Sequence, residues 1–372
     1  MKILHTGDLH LDSAFSGSTE SYSHTRRARQ REVLKKIFHL AQTECCDMML
    51  IAGDLFDTSF VTPETRELCL SLFREFEKPI VISTGNHDPY VNGSFWKSEL
   101  PENVWVFCSP SLEYFDFPEL GVAVGGYGFT SQALNFNPLE NQQPRERTYE
   151  KLLLLCAHTD LDSPLSRYAP IMSSDIKRLG FDYAALGHKH NLPETQQQNI
   201  RYCGFAEGRS YDEKGEGGVV MISFTDGELE VSRRSVSEYK YVWEELDVSA
   251  LSSAEEIADA VKGSVDKLCE KGISHLRLEL CGIIPADLSL NLSELESIKN
   301  ERVAELQIID STLALPDKDS LEKDSTLRGE FYRSLRPCLY SDDPRERRLS
   351  LRALRIGLAA IDGKSFTEGG AI

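Results

Sequence analysis

From Met1 to about Ser235, short apolar runs alternate with stretches whose apolar positions recur every three or four residues, the rhythm of an α/β fold. "KILHT" is strand-like. "RRARQREVLKKIFHLAQTE" then sets Val33, Ile37, Leu40 and Ala41 on one helical face, and "MMLIA" is a second strand. Thr62 and Pro63 have the chemistry of an N-cap and a first helical residue, ahead of Leu68, Leu72, Phe73 and Phe76. "PIVIS", "VWVF", "LEYF", "GVAVGG", "LLLLCA" and "FDYAAL" read as further strands. "VVMISF" and "LEVSRRSV" flank an Asp-Gly pair, which predicts a hairpin.

Beyond residue 235 the pattern changes. "SSAEEIADAVKGSVDKLCEKG" predicts an amphipathic helix with Ile257, Val261, Val265 and Leu268 inward and Gly272 as its stop. "HLRLELC" alternates like a half-exposed strand, and two more helical patterns lie near Leu321 to Leu335 and Glu346 to Ile361. The chain therefore divides into residues 1–235, a small α/β module at 236–315 and a helical tail at 316–372.

A chain of 372 residues, 41% hydrophobic, can bury sizeable cores in two or three domains. The nine cysteines are scattered, odd in number and without a Cys-x-x-Cys pair, which favours reduced thiols over disulfides or a zinc ribbon. Met1 leads directly into the first strand, so a cytoplasmic protein is expected. Runs such as "LLLLCA" are too short to span a bilayer, and no membrane association is expected. The formal net charge of −18 argues against a protein that coats nucleic acid by charge alone. Bound divalent cations would reverse that sign locally, so phosphate-rich substrates stay open.

The candidate chemistry sits where strands end. Asp8 and His10 follow the first strand, Asp54 the second, and Asn86, His87 and Asp88 the third. His158 ends "LLLLCA", and His188 and His190 follow "FDYAAL". Ligands of α/β sheets collect beyond the carboxyl ends of strands, so all five places are expected on one rim. This mixture of nitrogen and oxygen ligands suits manganese, iron(II) or zinc better than calcium. These candidates are too many for one ion and suit two, ~3.5–4 Å apart and bridged by a carboxylate. Taken singly, each has a plain reading as a capped turn or a hydrogen-bonded histidine. Their joint occurrence in this order favours the metal reading.

"GDLHLD", "GDLFD", "GNHD", His158 and "GHKHN" together resemble the calcineurin-like metallophosphoesterases. "DLHLDSAF", "GDLFDTS" and "YCGFAEGRSYDEKGEGG" are similar to the SbcD-type nuclease subunits among them, especially the YhaO-like DNA repair exonucleases. The resemblance implies a four-layer α/β/β/α sandwich with a smaller α/β capping domain, and a tail that docks on an SbcC-type ATPase. It implies a two-metal, manganese-dependent DNA exonuclease or endonuclease, and a homodimer formed through the helix near Pro63 to Glu77. One metal would take Asp8, His10 and His190, and the other Asn86, His158 and His188, with Asp54 bridging. His87 would be the catalytic histidine, oriented by Asp88. Asp57 stands where some relatives carry a histidine, which leaves one phosphate-facing cation unaccounted for.

Two basic stretches are candidates for DNA backbone, "RRARQR" at 26–31 and "RERRLSLRALR" at 345–355. For the first, a charged outer helix face is the favoured reading. The second would dock on a partner or cap its own domain. Two rival functions stay open: a phosphatase or phosphodiesterase acting on a small substrate, and a non-catalytic DNA-end adaptor that regulates an ATPase.

Overall fold

The computed structural model describes residues 1–15, 20–193, 196–213, 215–269, 273–285, 288–315 and 318–363, and divides into two compact units, Met1–Glu238 and Tyr239–Ile372. In the first unit, β1 (Lys2–Thr6), β2 (Met48–Ala52), β3 (Ile80–Ser83) and β4 (Val104–Phe107) run parallel. The chain then builds a second sheet in sequential order from β5 (Glu113–Phe117), β6 (Val122–Gly126), β7 (Leu152–His158), β8 (Tyr183–Gly187) and β9 (Ile200–Tyr202). It returns to the first sheet through the hairpin of β10 (Gly218–Thr225) and β11 (Glu228–Ser235), where β10 lies antiparallel to β1. Asp226 and Gly227 both have positive φ, as a tight two-residue hairpin turn requires.

Strands buried on both faces read as continuous apolar runs, and these do. Ile3, Met48, Leu50 and Val81 of one sheet meet Val122, Val124, Leu152, Leu154 and Tyr183 of the other in a shared core. The outer face of the first sheet packs against α1 (Glu20–Thr43) and α2 (Pro63–Phe76), through Val33, Ile37, Phe38, Phe73 and Phe76. Outside the second sheet lie α3 (Ser173–Arg178) and irregular segments, with Ile176, Leu179 and Phe181 in the core. The result is the four-layer sandwich. Neither α3 nor β9 announces itself in the sequence, because six and three residues carry too little periodicity.

The second unit is a βαβ-type module followed by helices. β12 (Tyr239–Asp247), β13 (Ile273–Pro285) and β14 (Val303–Leu315) form a parallel sheet. α4 (Ala254–Leu268) buries Ile257, Val261 and Val265, and Ser253 caps it by accepting from Glu256 N. The expected stop, Gly272, lies outside the described residues. α5 (Leu292–Glu296) precedes β14, and α6 (Lys318–Lys323), α7 (Leu327–Leu339) and α8 (Pro344–Ile361) end the fold. The helical pattern expected as one element near Leu321 to Leu335 is two. Asp324 Oδ1 accepts from Thr326 N, a local turn that competes with the helix. Among the described residues no helix is long and apolar enough to cross a membrane.

Candidate metal centre

The ends of β1, β2 and β3 in one sheet and of β7 and β8 in the other deliver all seven expected ligands to one place. Asp8, His10, Asp54 and His158 are almost completely buried. The backbone gives these side chains unusual directions, for Asp8, His10, Asp54 and His188 have φ of 50°, 47°, 48° and 107°. Left-handed backbone costs a non-glycine residue about 1–2 kcal/mol, so the surrounding structure must impose it. Asp8 N donates to Gly53 O and His10 N to Asp54 O, which ties the first ligand loop to the second. Gln30 Nε2, on α1, donates to the carbonyl of His10 at 2.7 Å and of Leu9 at 3.3 Å.

Of the glycines that precede ligands, Gly53 supplies a positive φ of 88°, and Gly85 serves close approach instead. A Cβ on Gly85 would overlap Asp54 Oδ1 and press on the Asp54 backbone nitrogen. Tight turning is thus one of two roles that these glycines play.

Asp54 lies between the two groups of rings. Its Oδ2 lies 3.3 Å from His158 Nε2 and 3.7 Å from His10 Nε2, and its Oδ1 accepts from His87 N at 2.9 Å. On one side His10 Nε2 faces His190 Nε2 at 3.0 Å, with Asp8 Oδ1 3.9 Å from His190 Nε2. On the other, His158 Nε2 lies 3.0 Å from Asn86 Oδ1 and 3.3 Å from His188 Nδ1. Three sets hold their ligand atoms within 4.8 Å of one another: Asp8, His10 and His190; Asp8, Asp54 and His158; and His10, Asp54 and His87.

The far nitrogens of the rings explain why the near ones are available. His158 Nδ1 lies 2.9 Å from Ala52 O, His10 Nδ1 3.0 Å from Asp57 Oδ1, and His190 Nδ1 2.8 Å from Glu213 Oε1. Where a ring donates its Nδ1–H to that oxygen, its Nε2 is left as a lone pair aimed inward. Opposed lone pairs at 3.0 Å repel unless something positive lies among them. Asp8 and Asp54 are likewise buried with no lysine or arginine within ion-pair distance among the described residues. Buried carboxylates need compensation, so this donor set fits divalent cations.

Without cations the histidines carry that compensation. Burial would raise the Asp54 carboxyl, but the His158 and His10 rings overcome it and hold the group well below the usual carboxylate range. Burial would lower His158, and the Asp54 and Asp8 carboxylates push it up to about 9. Burial raises Asp8, and lowers His188 to about 3 with help from His158.

The expectation that Asp88 orients His87 is not met. Asp88 is buried and its oxygens accept from the backbone N–H groups of Gly85, Asp54, Leu55 and Phe56, so it pins the two ligand loops together. His87 instead sets Nδ1 3.0 Å from the carbonyl of Asp57 and 3.7 Å from its Oδ1, while 44% of its side chain stays open to solvent. Asp57 thus serves both His10 and His87, a role that its place in a turn did not reveal. Arg209 and Glu213 behind His190 were also not singled out, although the "GRSYDE" segment that holds them was.

In the stretch at 26–31, Arg27 and Arg29 are half-buried, but Arg26 and Arg31 do not lie on an outer charged face. Arg26 donates to the Gly208 carbonyl, and Arg31 lies between Asp12 and Glu64 at 3.7 and 3.1 Å. Both arginines are buried, and their charge goes to neighbouring segments of the same unit.

The family model for calcineurin-like phosphoesterases matches residues 1–192. Among curated relatives, the metallophosphoesterase YhaO of Bacillus subtilis strain 168, named as uncharacterized, is 28% identical over 360 residues, covering 90% of this chain and 86% of that protein. The SbcD component of the SbcCD nuclease of Staphylococcus epidermidis is 27% identical over 249 residues, 57% of this chain and 63% of the relative. Its counterpart in Escherichia coli K12 is 27% identical over 282 residues, 62% and 66% respectively. Because the matched span takes in 192 of the 372 residues and every one of the seven convergent candidate ligands, the chain belongs to the calcineurin-like phosphoesterases, metal-dependent hydrolases of phosphoesters.

Proposed function

We propose that the protein is a manganese-dependent nuclease that hydrolyses DNA phosphodiesters at this two-ion centre. The observation that carries the reading is the pair of donor sets meeting at Asp54, with the solvent-open His87 beside them. Asp8, His10 and His190 would hold one ion and Asn86, His158 and His188 the other. Bound there, the ions would supply Lewis acidity to phosphoryl oxygens and lower the pKa of a water. His87, fixed through Nδ1 by Asp57, would present Nε2 to the phosphate and pass a proton to the leaving oxygen. Asp57 would keep that ring in register, and Asp88 would keep the β2 and β3 loops together.

The nuclease components among the relatives support DNA as the substrate. On this reading residues 236–315 act as a capping domain and 316–372 as a docking tail for an SbcC-type ATPase, and the protein works as a homodimer in the cytoplasm. In α8, Leu354 and Leu358 are buried while Leu349 stays 61% exposed, which leaves an apolar group for a partner. A small phosphoester substrate is the second reading, favoured by the openness of His87.

The test uses purified protein with end-labelled single- and double-stranded DNA and a panel of cyclic nucleotides. Cleavage of DNA is expected to vanish in chelator and to return with manganese. Activity confined to the cyclic nucleotides, or DNA cleavage that survives exhaustive chelation, overturns the proposal. His87→Ala should keep both ions and lose turnover by about 100-fold or more, the scale of a proton-transfer group.

A further inference from the structure

The geometry points to Arg209 as the positioning residue that sets both histidines of one ion site, by clamping the two carboxylates behind them. This inference rests on the two-ion reading above and adds the device that makes one of its sites rigid.

The observation is a closed ring of contacts. His10 Nδ1 lies 3.0 Å from Asp57 Oδ1, and the same oxygen accepts from Arg209 Nη1 at 3.4 Å. The Arg209 Nε and Nη2 groups donate to Glu213 Oε1 at 3.0 and 2.9 Å, and that oxygen lies 2.8 Å from His190 Nδ1. Arg209 N closes the loop on Glu213 Oε2 at 2.6 Å. At the far side His10 Nε2 and His190 Nε2 face each other at 3.0 Å. One guanidinium therefore governs both rings from behind.

The chemistry of the parts supports the assignment. A guanidinium is planar and presents several N–H donors in a fixed fork, so it can hold two carboxylates in one geometry. A carboxylate fixes a histidine's tautomer and raises its basicity as a ligand. Asp57 and Glu213 do this for His10 and His190, and Arg209 keeps both carboxylates ionised and in place. The Asp57 and Arg209 side chains are each 21% exposed and that of Glu213 5%, so the pairing is screened less than a surface ion pair. His158 has no such support, because its Nδ1 faces the carbonyl of Ala52. His158 is set by a backbone carbonyl instead, and the Arg209 clamp reaches His10 and His190.

The arrangement also bears on the cation that the sequence left unassigned. Arg209 is already engaged by two carboxylates, so its charge is spent on the ligands and not on a phosphate.

The experiment is calorimetric titration of manganese into chelator-stripped protein, without substrate, for the wild type, Arg209→Gln, Arg209→Lys, Glu213→Gln and the Arg209→Gln/Glu213→Gln double variant. Two binding events are expected in the wild type. In Arg209→Gln and Glu213→Gln one event should weaken about 10–100-fold and the other stay within about twofold, the usual scale for losing such support. The double variant should be no worse than the worse single one, since both changes cut the same chain of contacts. Arg209→Lys should fall between, because an ammonium reaches one carboxylate and not both.

Unchanged affinities in Arg209→Gln, or a lysine variant equal to the wild type, overturn the clamp. A kcat lost at saturating metal with both affinities intact also overturns it and puts Arg209 on the substrate. If Arg209→Gln does not fold, Glu213→Gln and Arg209→Lys carry the same test. Absence of manganese binding in the wild type removes the two-ion reading itself, an outcome distinct from an unaffected variant.

Discussion

At the scale of single residues, the centre is held by side chains that are not themselves ligands. Asp88 spends its carboxylate on four backbone N–H groups, Gln30 holds the Asp8 to His10 loop, and Asp57 holds two rings. A histidine at position 57 would donate where this aspartate accepts. Farther from the ions, burial raises Glu207 to about 7, against its contacts with Ser237 and the Glu238 N–H. A carboxyl whose folded pKa exceeds its unfolded one stabilises the fold below about 4.5, and that contribution is lost as pH rises through about 7. Glu207→Gln, which stays neutral, should therefore gain stability over the wild type on going from pH 5 to pH 8, by about 1–3 kcal/mol. Urea unfolding of both proteins at the two pH values checks this, and an equal difference at both would refute it.

At the scale of elements, each ligand loop leaves a strand whose position is fixed by apolar packing on both faces. β2 lies between β1 and β3, so the loops after them are neighbours by construction. Their closeness leaves no room for a methyl group at Gly85, where the chain passes over Asp54. Gly85→Ala should displace the bridging carboxylate and lower manganese stoichiometry from two ions to one or none, while far-ultraviolet circular dichroism stays near that of the wild type. Metal analysis after gel filtration measures this, and two retained ions would show that the loop can yield. Local polar chemistry acts on helices too, since Asp324 ends α6 and separates it from α7 where periodicity alone suggested one helix.

At the scale of the whole molecule, the candidate ligands come from two sheets. Asp8, His10, Asp54 and Asn86 follow strands of the first sheet, and His158, His188 and His190 belong to strands of the second or to the loop after β8. A ligand that binds only the folded state stabilises it by mass action, so manganese should link the sheets energetically as well as chemically. Saturating manganese at ~100 times its dissociation constant is worth about 2.7 kcal/mol per site. Thermal unfolding should move upward by several degrees with manganese and back with chelator. A melting temperature indifferent to both would mean that no cation sits between the sheets.

The convergence of the candidate ligands was legible in the sequence, because a strand end followed by a polar metal-type residue is a local signal that recurs five times. So were the buried strands, the α4 face and the β10–β11 turn, whose periodicity and turn chemistry depend on neighbours a few residues away. What lies behind the ligands was not. Asp57 touches His87 across 30 residues and Arg209 across 152, and Gln30 and Glu213 look like any polar surface residues in the sequence. Amino-acid order by itself determined which strands are buried and which side chains end them, since hydrophobic burial and backbone geometry act locally. Only the tertiary structure decided who orients whom, because hydrogen bonds of about 3 Å depend on how distant loops pack, and no local pattern encodes that distance.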